Sequence, residues 1–468
     1  MQAYLLFEYY AFYSCDDGRF STALKIHRKL IDAVRQYQML QDRIALGVDE
    51  ISSPNEPSVA SSMTVTEHAW RVAMYNESRK RYGHLPARYQ RENLASTEVK
   101  PLELKYELPC QDDTWQAATA ETWQALIVSQ EGSFNEEDDY EANGDPRPAH
   151  GDLYASLMYL MNPNPQDRPL RLLWHSSFAC LMLITQILMM IRDLTLASSF
   201  LYNNVRCGES KNNLSIISEA SRTSIMQALN ALSDIMRKPS FSRTYLLSSF
   251  LDDSESVESS LWSNVWIVWH YAAMNLTHQE ALLTSGIVEY SLPSAVSTCW
   301  ELGKPRVKQH RDVYEDRDVI RVASNLQSIL VLLSRDTRPI DINFQLQPEF
   351  TPKIIEDPFI TMIGYKACLL GWRIVRLMAV SLQTSTASSN IQTQSIYSMS
   401  ARVVLTGILA AISPESANQR GQWNPTAAVD DAESRYLAWM EATFLARNVW
   451  PPSKWIVAVF NESRHEPE

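Results

Sequence analysis

The sequence predicts an all-α protein, a large multi-helical array of helix hairpins packed around a buried core. Three observations predict it. Glycine is scarce, 13 in 468 residues, against an average of about 7% in soluble proteins. Turns, bulges and phosphate-cradling loops all draw on glycine, so its scarcity speaks against β-rich and nucleotide-binding folds. Apolar residues recur at spacings of three and four over most of the chain, the period of a helix. Nowhere does the pattern alternate strand with helix, as a parallel sheet would need.

The first 40 residues read as two helices around a turn at CDDG (15–18). The second carries Phe20, Leu24, His27, Leu30, Ile31, Val34 and Tyr37 on one apolar stripe, with charge opposite. His27 on that stripe reads as a core histidine. Residues 50–62, EISSPNEPSVASS, read as a loop. A helix follows from about Thr66 to about Gly83. Its pairs Glu67/Arg71 and Glu77/Arg81 are four apart with the acid first, the favourable order. Pro86 is expected to break it. Residues 84–113 hold Pro86, Pro101 and Pro109 and read as mostly irregular. Thr119 is placed to cap a helix through Trp123.

Residues 131–150 are acidic and turn-forming and read as a linker. The organisation expected is therefore a helical part over 1–130, a linker or loop over 131–150, and a helical remainder over 151–468 in the same domain. Helical patterns in the remainder span 151–161, 170–203, 212–237, 258–285, 316–335, 358–384, 393–413 and 431–447. DINFQLQPEF (341–350) is the one segment with strand or extended character.

Charge and cysteine content narrow the function classes. The net charge is −12, which disfavours non-specific binding to nucleic acid or to an anionic membrane surface. The six cysteines lie at least 27 positions apart (180 to 207), so none forms the close pair of a zinc knuckle. Most read as reduced, buried thiols. The sequons at Asn76, Asn213, Asn275 and Asn461 read as chance, because the N-terminus lacks a basic leader. Leu172 to Ile191 is uncharged, but His175, Ser176, Thr185 and Gln186 make it a core helix rather than a membrane span.

No catalytic signature is found. GxGxxG, the P-loop, HExxH and the nucleophile elbow are all missing. The acid pairs Asp16-Asp17, Asp112-Asp113, Asp138-Asp139 and Asp252-Asp253 lack a third carboxylate four positions after the first, which a magnesium-diphosphate site needs. They read as turns and caps. The basic stretch 303–311 reads as a solvated linker, and Trp262, Trp266 and Trp269 as one core face of a helix. No enzyme activity and no cofactor are expected.

The stretch from Trp70 to Trp123 carries a resemblance. ESRKR (77–81) sits on an amphipathic helix, LELKYELPCQDDTWQA (102–117) follows, and another tryptophan stands eight residues beyond Trp115. With the helix pair of residues 5–35, this resembles the fungal-specific transcription factor domain, or middle homology region. The form LPC-x-D-x-x-W is most similar to members carrying two-cysteine two-histidine zinc fingers. The resemblance covers about 1–130 and is diffuse beyond.

The resemblance implies a regulatory domain acting in the nucleus on RNA polymerase II transcription. It implies partners among other transcription-factor regions, coregulator proteins or a small effector. DNA contact, and zinc, would come only through a DNA-binding module upstream of Met1, absent here as in a truncated gene product. The residues carried over are Glu77, Ser78, Arg79, Arg81, Leu108, Pro109, Cys110, Trp115 and Trp123. Glu77 and Arg81 are expected to pair, and Leu108, Pro109 and Trp115 to dock an irregular segment on the helices, with Trp115 buried. The alternative reading is a helical protein-interaction scaffold unrelated to transcription.

Overall fold

The computed structural model describes residues 2–36, 65–88, 108–132, 153–161, 176–204, 217–236, 253–277, 292–303, 316–335, 357–387, 391–412, 431–447 and 449–463. Among them are fifteen helices and no strand, so the fold is all-α. The loop read at 50–62, the strand character at 341–350, and all but the first residues of the linker at 131–150 and the basic stretch at 303–311 lie outside the described residues, as do Asn213 and Cys207.

Helices α1 (Gln2–Phe12) and α2 (Asp17–Gln36) enclose a turn over Tyr13–Asp16. Asp16 ends that turn as the cap of α2, its Oδ1 accepting the backbone N–H of Arg19 at 2.9 Å. His27, Leu30 and Ile31 are buried along α2, as the apolar stripe requires.

Helix α3 (Val65–Arg88) runs past Gly83 and Pro86, so the expected early break does not occur. A proline so close to the end of a helix removes one i→i−4 hydrogen bond, and few turns remain for its kink to disrupt. Both acid-first pairs form, Arg71–Glu67 at 2.6 Å and Arg81–Glu77 at 2.9 Å. The single-turn α4 (Asp112–Trp115) and α5 (Ala120–Gly132) follow, and α5 packs on α3 and α4. Thr119 starts α5 by accepting the N–H of Thr122 at 3.2 Å.

Helix α6 (Leu153–Met161) buries Leu153, Leu157 and Leu160. Helix α7 (Ser177–Asn204) is long and apolar enough to cross a membrane by length and composition, but two thirds of its apolar window is buried in protein. Helix α8 (Glu219–Ile235) buries Ile225, Ala228, Leu229 and Leu232, at positions i, i+3, i+4 and i+7 of one face.

The remaining helices are α9 (Asp253–Thr277), α10 (Leu292–Gly303), α11 (Asp316–Arg335), α12 (Pro358–Ala387), α13 (Ile391–Ile412), α14 (Ala432–Leu445) and α15 (Pro451–Ser463). Two of them, α10 and α15, were not expected. Both start beside prolines, Pro293 and the pair Pro451-Pro452. In a helix's first turn a proline lacks only an N–H that has no intrahelical partner anyway.

The backbone divides into two compact units. Unit 1 comprises Met1–Leu6, Leu24–Ile187 and Ser224–Lys238. Unit 2 comprises Phe7–Ala23, Leu188–Thr223 and Pro239–Glu468. In unit 2, α12 is the central helix and packs on α9, α10, α11, α13, α14 and α15. Its residues from Pro358 to Arg373 are buried without interruption, the pattern of a helix wrapped on all sides. Tyr365 lies edge-on to Phe444 of α14, and Phe444 and Phe460 of α15 close the aromatic core. The face of α9 read as core is core: Trp262 and Trp266 are buried and Trp269 is half-buried.

Candidate functional site

Unit 1 gathers most of the motif residues around a single guanidinium, that of Arg81. The residue sits one turn beyond Glu77 on α3, on the face toward the irregular segment Leu108–Gln111 and α4. From Arg81, Nε donates to Glu77 Oε1 at 2.9 Å. Both terminal nitrogens reach Asp112 Oδ1, at 3.2 and 3.1 Å, and Nη2 also donates to the carbonyl of Cys110 at 3.0 Å. The guanidinium lies over two rings, Trp115 at 5.1 Å and Phe178 at 5.0 Å from their centroids. Five donors in a rigid fork with flat faces allow this convergence, and a lysine ammonium could not reproduce it.

The carboxylates have further partners. Glu77 Oε1 accepts the backbone N–H of Cys110 at 3.0 Å, and Asp112 Oδ2 accepts the hydroxyl of Ser177, the first residue of α7, at 2.7 Å. Two carboxyl groups thus share one guanidinium, and the amide and the hydroxyl give each a further partner. Glu77 is only 4% exposed, and a buried carboxylate is tolerated when paired and hydrogen-bonded in this way.

Two thiols adjoin the cluster. Burial, and then the charge of Glu77, push Cys110 up to about 12. Burial, and then Asp112, push Cys180 up to about 12. Both are held as neutral thiols and are poor nucleophiles at neutral pH. The cysteines among the described residues form no disulfide. Among the described residues no group of His, Cys, Asp and Glu is arranged to hold a metal ion.

Of the residues singled out in the sequence, Glu77, Arg81, Cys110 and Trp115 meet in this cluster, and Leu108 and Pro109 are buried beside it in the chain. Trp115 departs from expectation: it is half-buried, not enclosed. The apolar fastening falls instead to Leu108, 2% exposed, with Pro109. Ser78 bonds back to the carbonyl of Met74 at 2.8 Å and takes no part. Trp123 is half-buried on α5 and is not among the groups bonded to Arg81. The side chain of Arg79 lies outside the described ones.

Sequence reasoning missed Asp112, Ser177 and Phe178. Asp112 was read with Asp113 as a turn pair. The available signal was the form LPC-x-D-x-x-W itself, whose aspartate is Asp112, three residues before Trp115. Nothing local marks Ser177 and Phe178, 65 or more positions further on. No protein-family model matches the chain, and no curated protein or solved structure does either.

Proposed function

We propose that the chain is the regulatory, non-DNA-reading domain of a fungal transcription factor that acts in the nucleus on RNA polymerase II transcription. One observation supports this reading above others. Residues chosen for their resemblance to the middle homology region, Glu77, Arg81, Cys110 and Trp115, are far apart in sequence and converge on one cluster. In this reading the cluster shapes a surface for coregulators or for other regions of the factor. DNA and zinc belong to a separate module, and the chain catalyses no reaction.

The test is a fusion of the chain to a heterologous DNA-binding module in a fungal cell, read with a reporter gene. The expected result is a several-fold change in reporter output that Arg81→Ala abolishes at matched protein level. No change in output from a folded, nuclear fusion would overturn the reading and favour the interaction scaffold. The purified chain alone is expected to give no sequence-selective mobility shift with DNA, consistent with its net charge of −12.

A further inference from the structure

The segment from Leu108 to Gln116 is fastened differently from the helices around it. Over Leu108–Gln111 the chain is in neither helix nor strand. The N–H of Cys110 goes to Glu77 and its carbonyl to Arg81, both side chains of α3. The one-turn α4 begins at Asp112, and the side chain of Gln111 before it makes no cap hydrogen bond. Asp113 and Gln116 are exposed, and Cys110, Gln111, Asp112 and Trp115 are half-buried. Its polar fastening to α3 runs through the Glu77–Arg81 pair, Ser177 of α7 bonds Asp112, and Thr114 is buried in the middle of the segment. Leu108 and Pro109 supply an apolar anchor at one end.

The ground below is of another kind. From Ala179 to Ile184 every residue of α7 is buried, and its hydrogen bonds are those of a continuous helix. Local opening has a low free energy where buried apolar contacts are few and backbone groups lean on side chains, and a high one in a packed helix.

We propose that residues 108–116 form a strap that opens as a unit while α3 and the first turns of α7 stay folded, and that Arg81 is its latch. Opening uncovers the Arg81 guanidinium and removes Trp115 from one side of it. Phe178 remains on the other, so the bared surface presents a cation beside an aromatic ring. That is the chemistry the strap itself satisfies with a carboxylate three residues before an indole. This gives the regulatory reading above a moving part and rests on it for its purpose. The motion itself does not depend on any role in transcription.

Hydrogen exchange of the full chain, followed by mass spectrometry, tests the strap. In the wild type, peptides within 108–116 should exchange through an opening nearly independent of added denaturant. Peptides within 179–187 should exchange only through an opening steeply dependent on it. Arg81→Lys keeps the charge and loses the fork. It should speed exchange over 108–116 by about tenfold or more, equivalent to about 1.4 kcal/mol, while the opening seen over 179–187 keeps its steep denaturant dependence. Equal exchange and equal denaturant dependence in the two segments of the wild type would overturn the strap, and so would a folded Arg81→Lys chain with unchanged exchange over 108–116. If Arg81→Lys fails to fold, the wild-type denaturant series decides alone. A strap without reporter activity would leave the motion standing and remove the transcriptional reading, and the converse result would do the opposite.

Discussion

The hydroxyl of Tyr436 donates to the carbonyl of Cys368 at 3.1 Å, and it reaches that carbonyl because residue 371 is glycine. A Cβ at position 371 would fall on Tyr436 Oη and come within 2.9 Å of Leu326 Cδ2. Tyr436 is fully buried, and burial raises its hydroxyl well above the ordinary tyrosine range. It therefore acts as a neutral hydrogen-bond donor joining α14 to α12.

This contact reverses a familiar rule. Glycine to alanine inside a helix normally stabilises by about 1 kcal/mol. At Gly371 we expect Gly371→Ala to destabilise by about 1–3 kcal/mol, because the new methyl has no space in a close-packed core. Urea unfolding measures it. Adding Tyr436→Phe should recover part of the loss by removing the clashing oxygen. A double variant no more stable than Gly371→Ala would place the strain elsewhere.

Removing the latch of unit 1 should cost more than removing its aromatic cover. Arg81→Met leaves the buried Glu77 and the half-buried Asp112 without their shared cation. Breaking a buried pair from one side typically costs about 3–5 kcal/mol. Arg81→Lys should fall between this variant and the wild type. Chemical denaturation of the three proteins checks the order.

Trp115→Ala should destabilise by about 1–3 kcal/mol, below the 3–5 kcal/mol typical of a fully buried tryptophan. Its ring is half-buried, and its main partner, Arg81, keeps Phe178 and both carboxylates. Thermal unfolding distinguishes this from the near-zero effect expected at an exposed surface site.

His270 makes stability depend on pH. Its Nδ1 lies 2.9 Å from Asn325 Oδ1, and the Asn325 amide nitrogen donates to the Arg321 carbonyl, so the oxygen faces the ring and Nδ1 carries the proton. Trp266 and Trp269 lie against the imidazole. Burial lowers its pKa below the ordinary value, partly offset by the Asn325 bond. The unfolded chain then binds more protons than the folded one as pH falls below about 6.5, and the folded state loses stability there. His270's contribution should be flat above about pH 7.5 and decline as pH falls from about 6.5 toward its lowered folded value. Unfolding midpoints of wild type and His270→Gln over that range should diverge in slope, with the wild type the steeper.

Much of the fold was legible because helical burial follows a local period. The stripe of α2 and the apolar faces of α8 and α11 announce themselves within single windows, since residues three and four apart share a face whatever the rest of the chain does. The cap at Thr119 and the pairs Glu67/Arg71 and Glu77/Arg81 are equally local. Pro86 misled because a proline that breaks a helix in its interior is tolerated close to its end.

The sequence by itself determined the helical class, the ion pair within α3, and the candidacy of Glu77, Arg81, Cys110 and Trp115. Only the tertiary structure decided that Arg81 takes Asp112 as its second carboxylate, that Ser177 and Phe178 complete the cluster, and that Trp115 is half-buried rather than enclosed. The reason is distance along the chain. A bond between positions 4 apart is specified by helix geometry. One between Asp112 and Ser177, 65 apart, depends on how α4 and α7 pack, and packing is a property of many side chains at once.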